Sequence, residues 1–122
     1  MKENVNNNKN FSTEIKYKDK VYKLVFNLNS MEEIQEEYGT IQEWGNLTEG
    51  GKTKEPNIKA LVFGLKAMIN EGIDISNDEN GTNEPFLTDK QVGRILTEVG
   101  LNEAMSKVQK TVIESTKSDS KN

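Results

Sequence analysis

The chain has 122 residues, a net charge of −4, an apolar fraction of 33% and a charged fraction of 30%. That length holds one domain with a modest core, and the lack of cysteine excludes disulfides and thiolate metal sites. No apolar run approaches the roughly 18 residues of a membrane span, and Met1-Lys2-Glu3-Asn4 lacks the apolar stretch of a signal peptide, so the sequence reads as cytosolic. Charge is segregated: Glu32, Glu33, Glu36, Glu37, Glu43 and Glu49 fall in a stretch without Lys or Arg, whereas residues 1–28 carry six lysines against Glu3, Glu14 and Asp19. The acidic total argues against nucleic acid, whose binders present a basic face.

Residues 1–12 are polar and rich in asparagine (Asn4, Asn6, Asn7, Asn8, Asn10), the composition of a disordered tail. A strand is expected at Glu14–Tyr17, followed by a tight turn at Lys18-Asp19-Lys20. Tyr22, Leu24, Phe26 and Leu28 then point one way, with Lys23 and Asn27 on the other side, so 14–28 reads as a β-hairpin. Ser30-Met31-Glu32-Glu33 has the pattern of a helix-opening capping box. Met31, Ile34, Tyr38 and Ile41 share one helical face, and Gly39 supplies a stop. Thr40-Ile41-Gln42-Glu43 repeats the box and predicts a short helix to about Trp44, with a polar loop over 45–55.

Pro56 suits the first turn of a helix that runs to about Glu71 and stops at Gly72. Ile58, Leu61, Val62, Leu65, Met68 and Ile69 form its main stripe. Ala60, Phe63 and Ala67 fall on the opposite side, and only Lys59, Lys66 and Asn70 make a polar wedge. A helix apolar nearly all round is either central to a core or touches a partner. A polar loop is expected over 74–85. Thr88-Asp89-Lys90-Gln91 is a third capping box, with Leu87 and Val92 spaced as a hydrophobic staple. Val92, Ile95, Leu96 and Val99 face one way, Gly100 breaks the chain, and a last helix over about 102–116 carries Ala104, Met105, Val108 and Val112. Residues 117–122 read as a polar tail. The expected fold is α+β: an N-terminal β-hairpin followed by about four α-helices in one small domain spanning 13–116.

Ligand motifs fail on inspection. Gly50-Gly51-Lys52-Thr53 imitates the end of a phosphate-binding loop, but the first glycine of that motif would stand at Asn46. Asp78-Glu79-Asn80-Gly81 imitates half of a calcium loop, but the bidentate glutamate position holds Leu87. Glu32, Glu33, Glu36 and Glu37 splay around a helix and, in a chain without histidine, read as a solvated face. Neither histidine nor cysteine offers a nucleophile or base. No catalytic residue, cofactor or metal is expected. The candidate partner-binding residues are Phe63 with Ala60 and Ala67, and Trp44, which either caps the core beneath the hairpin or meets a partner.

The run Tyr22-Lys23-Leu24-Val25-Phe26-Asn27-Leu28-Asn29-Ser30-Met31-Glu32-Glu33-Ile34, with its stop at Tyr38-Gly39, resembles the opening of phage tail assembly chaperones. The run Leu87-Thr88-Asp89-Lys90-Gln91-Val92-Gly93, Ile95, Leu96 and Glu98-Val99-Gly100-Leu101-Asn102-Glu103-Ala104 resembles the C-terminal half of the group shared by long-tailed phages and gene transfer agents. Asn57 to Gly72 is similar to the middle helix of that family. The asparagine-rich start and the 74–85 loop depart from its compact form. The resemblance implies a protein that binds the tape-measure protein in the host bacterial cytoplasm and keeps it soluble until tail tube subunits polymerise around it. It also implies a frameshifted longer form of the chain as a partner and is compatible with a homo-oligomer. The alternative is a virion structural protein, such as a head–tail joining or tube component. A DNA-binding regulator built on the helix pair 88–99 and 102–116 is disfavoured, because that pair is electrically neutral and Arg94 is its one arginine.

Overall fold

A computed structural model describes residues 13–50 and 55–120, the last four as backbone only. The asparagine-rich tail, most of the Gly50–Thr53 motif and the last two residues lie outside the described residues. Strands β1 (Thr13–Tyr17) and β2 (Lys20–Leu24) form a hairpin, followed by helices α1 (Leu28–Tyr38), α2 (Ile41–Glu49), α3 (Ile58–Asn80), α4 (Asp89–Val99) and α5 (Leu101–Ser120). The fold is α+β as expected, with five helices rather than about four.

β1 and β2 pair antiparallel in an unbroken register from Thr13↔Leu24 to Tyr17↔Lys20. The turn has two residues, and Lys18 takes the left-handed φ of 57° that suits such turns. Because facing residues share a side, Ile15 and Leu24 are buried while Glu14, Lys16, Val21 and Lys23 face out. The alternation expected to reach Leu28 ends at Phe26. Asn27, not Ser30, caps α1, and its side chain accepts from the amides of Asn29 and Ser30. Both residues are acceptors three positions apart, so the sequence pattern fits either start. Ser30 becomes the third helical residue, buried, donating its hydroxyl to Val25 O at 2.8 Å and accepting from Asn27 N at 3.0 Å. Leu28 is left 78% exposed at the first helical position.

α3 is the centre of the core. β2, α1, α2 and α4 all pack against it, which accounts for its nearly unbroken apolar surface. It does not stop at Gly72 but continues to Asn80, so the loop expected over 74–85 shrinks to 82–88. Gly72 is a point of close approach: a Cβ there would lie 2.9 Å from Lys23 O of β2. Just beyond, Val25 N donates to Met68 O at 3.2 Å, fastening the end of the hairpin to the helix. Ile58, assigned from its spacing to the buried stripe, is instead exposed, because the helix begins at that residue after the Asn57 cap.

A second approach holds α2. The helix runs to Glu49 rather than to Trp44, and Trp44 lies across α3 at Gly64, where a Cβ would overlap ring atoms Cζ2, Cε2 and Nε1. The indole N–H donates to Ala60 O at 2.9 Å. The ring also stacks on Phe26, with centroids 6.5 Å apart and planes 12° from parallel. At the far side Thr88 and Gln91 complete the expected capping box of α4. Asn70 of the polar wedge grips the loop before it, accepting from Leu87 N at 2.8 Å and donating to Leu87 O at 3.1 Å. α5 closes over β1, and Ser115 donates its hydroxyl to Phe26 O at 2.9 Å. Among the described residues, no helix is long and apolar enough to cross a membrane.

Gly64→Ala separates packing from propensity. Alanine favours a helix interior over glycine by about 1 kcal/mol, whereas overlap with the indole should cost about 1–3 kcal/mol. A lower midpoint in urea or thermal unfolding is the expected result. An unchanged or raised midpoint would contradict the close seating of Trp44 on α3.

Candidate partner-binding surface

The four residues expected to meet a partner divide three to one. Trp44 is 2% exposed, Ala60 is fully buried and Ala67 nearly so. None of the three presents a surface in this fold, which corrects the partner-binding expectation for them; for Trp44 the core alternative holds. Helical spacing places Ala60 and Ala67 correctly on the side of α3 away from Leu65, but α1 and α2 cover that side as well. Phe63 is half-buried. Its ring meets Tyr38 of α1 edge to face, with centroids 5.5 Å apart and planes at 79°.

Tyr38 is the unusual group at this contact. Its hydroxyl is buried and has no hydrogen-bond partner among the described residues. Burial raises its pKa above the ordinary value of 10.0, and the charges of Glu37 and Asp89 raise it further. Asp89, at the start of α4, holds Lys66 of α3 at 2.8 Å, so one of the two lysines of the polar wedge also ties α3 to α4.

The outer face of α1 is acidic: Glu32, Glu33, Glu36 and Glu37 are all exposed. Among the described residues no cluster of three or more acidic groups could hold a metal ion. The Asp78–Gly81 segment is no calcium loop. It is the end of α3, capped by Gly81 at φ 66°, and Asn77 organises the following turn by accepting from Glu84 N and Thr82 Oγ1, both at 2.9 Å. Large apolar side chains do reach solvent elsewhere. Leu47 at 39% and Ile58 at 49% exposure stand together at the α2–α3 junction, where Asn57 N donates to Leu47 O at 2.8 Å. Sequence spacing missed this pair. The signal was the asparagine cap before Ile58, since a first helical residue lies at the helix end and not along its buried stripe.

Compared with known proteins, the chain matches no family model, no curated protein and no solved structure.

Substitutions at Tyr38 and Phe63 test their contact, with Leu65 as the core reference. Replacing Tyr38 with phenylalanine removes a buried hydroxyl that has no partner, so stability should hold or rise by about 1 kcal/mol. A raised folded pKa means that the stability linked to neutral Tyr38 is complete below about pH 10 and is lost as pH climbs through the folded value. Tyr38→Phe should therefore flatten the alkaline fall in melting temperature above pH 10; an identical fall in both proteins would contradict the burial of the hydroxyl. For the two sides of α3, Leu65→Ala should cost about 2–5 kcal/mol. Phe63→Ala should cost less, about 1–2 kcal/mol, because its ring is already partly in water. Equal losses in urea titrations would make Phe63 a full core residue.

Proposed function

We propose that this chain is a phage tail assembly chaperone, a non-catalytic protein that binds the tape-measure protein and keeps it soluble before tube subunits assemble around it. The observation that carries the reading is the run from Tyr22 to Gly39, which resembles the opening of that family and forms one continuous unit: strand β2, the Asn27 cap, helix α1 and its glycine end. The second resembling run, Leu87 to Ala104, supports it as a capped α4, a break at Gly100 and the start of α5. A client-binding protein needs apolar surface for the client and charge to keep the complex dissolved. With Trp44, Ala60 and Ala67 in the core, the Leu47–Ile58 junction is the favoured contact for an amphipathic client helix. The exposed glutamates of α1 supply the charge. The α4–α5 pair carries four basic and four acidic residues over 88–116, which disfavours a DNA-binding role for it.

Co-expression with the tape-measure protein of the same phage tests the reading. The client should move from the pellet to the supernatant, and Leu47→Asp with Ile58→Asp should abolish the rescue without unfolding the chaperone, since both sites are already solvated. If client solubility does not respond to the wild-type chain, the chaperone reading fails. Recovery of the chain from purified particles would favour the structural alternative.

A further inference from the structure

β1 is an edge strand, and its outer edge opens on a groove whose far wall is α5. The groove encloses about 470 Å³ between Glu14 and Lys16 on the strand and Val99, Glu103, Lys107 and Lys110 on the helical side. Hairpin geometry fixes which main-chain groups face it. A two-residue turn makes Tyr17↔Lys20 the closing hydrogen-bonded pair, and bonded and non-bonded pairs alternate from there. Thr13, Ile15 and Tyr17 thus direct their amides and carbonyls to β2. The N–H and C=O of Glu14 and Lys16 point the other way, and they have no hydrogen-bond partner among the described residues. Two donors and two acceptors, repeating every two residues or about 6.8 Å, are what an incoming extended strand requires.

The groove also has a sign. Three lysines face two glutamates, and one of those glutamates, Glu103, is 3.9 Å from Lys107. Lys16 and Lys110 are exposed and form no ion pair among the described residues. A second copy of β1 would bring one Glu and one Lys, which leaves the excess positive charge in place.

We propose that the β1–α5 groove binds an extended, acidic peptide segment of a partner protein, which adds to the hairpin as a third strand and sets its carboxylates in the positive field of Lys16 and Lys110. This site is independent of the tape-measure reading, because it takes extended backbone and not a helix.

The test uses the whole chain and a fluorescein-labelled eight-residue peptide of alternating threonine and glutamate with blocked ends. Saturable binding by fluorescence anisotropy is expected, with amide shifts at Glu14, Lys16 and along Val99–Lys110. The Lys16→Glu/Lys110→Glu double variant should melt as the wild type does yet bind about tenfold more weakly. Of two peptides methylated on all threonine or all glutamate amides, one should lose binding and the other keep it, because only one register faces β1. Any one of four results overturns the proposal: no binding at about millimolar peptide, equal binding of a threonine–lysine peptide, indifference to both methylations, or shifts that fall elsewhere. A concentration-dependent dimer with shifts at β1 in the absence of peptide would assign the edge to a second copy and overturn it as well.

Discussion

The seating of Trp44 on Gly64 is the contact on which the arrangement of the other elements depends. An indole this close to a helix axis is tolerated only where the helix has no side chain, and Gly64 provides that one gap. The polar end of the ring is satisfied by Ala60 O, one turn earlier on the same helix, so burial leaves no orphaned donor. The face of the ring stacks on Phe26. Since Phe26 sits between β2 and α1, one side chain of α2 fixes the spacing of the hairpin, α1 and α3 together. Of the two roles open to Trp44, core or partner contact, it takes the first and is the hub of the interior.

Polar groups on α3 then orient what packing alone leaves free. Glu71 accepts from the side-chain amides of Asn27 at 2.8 Å and Asn29 at 3.1 Å, holding the start of α1 against the helix. Asn70 holds both main-chain groups of Leu87, and Lys66 reaches Asp89. Two adjacent faces of one helix therefore fix two different neighbours, Glu71 the start of α1 and the Lys66–Asn70 pair the start of α4. Apolar burial is non-directional; hydrogen bonds of this kind fix register.

The parts legible in the sequence were those set by local chemistry. The alternation around Ile15 and Leu24, the Lys18-Asp19 turn, the Thr88–Gln91 box and the stops at Gly39 and Gly100 all depend on neighbours within a few residues. What escaped was set by distant contacts. Gly72 reads as a helix terminator because the residue that needs its bare backbone, Lys23, is far away in the chain. Asn27 and Ser30 are both good helix-opening acceptors, and burial of Ser30 decides between them. For the candidate site, helical spacing gave the correct sides of α3, with Ala60, Phe63 and Ala67 opposed to Leu65. It carried no information on how many neighbours the helix has. Four elements surround it, so a second apolar face meant a second interior contact. The acidic outer face of α1, by contrast, was plain from glutamate spacing alone.

The Ser115–Phe26 hydrogen bond spans 89 residues, and that distance governs how the chain reaches this state. The hairpin comes first in the sequence, yet β2 packs on α3 and β1 is roofed by α4 and α5. A two-stranded hairpin is marginal in water without such a roof. As the chain emerges from a ribosome, α3 can meet β2, α1 and α2 early, but β1 must wait for its cover from the last helix. Completion of the fold is then late, and the loop that must close is nearly as long as the domain, which slows the final step. A protein read as the guardian of an aggregation-prone client passes through its own exposed interval during synthesis.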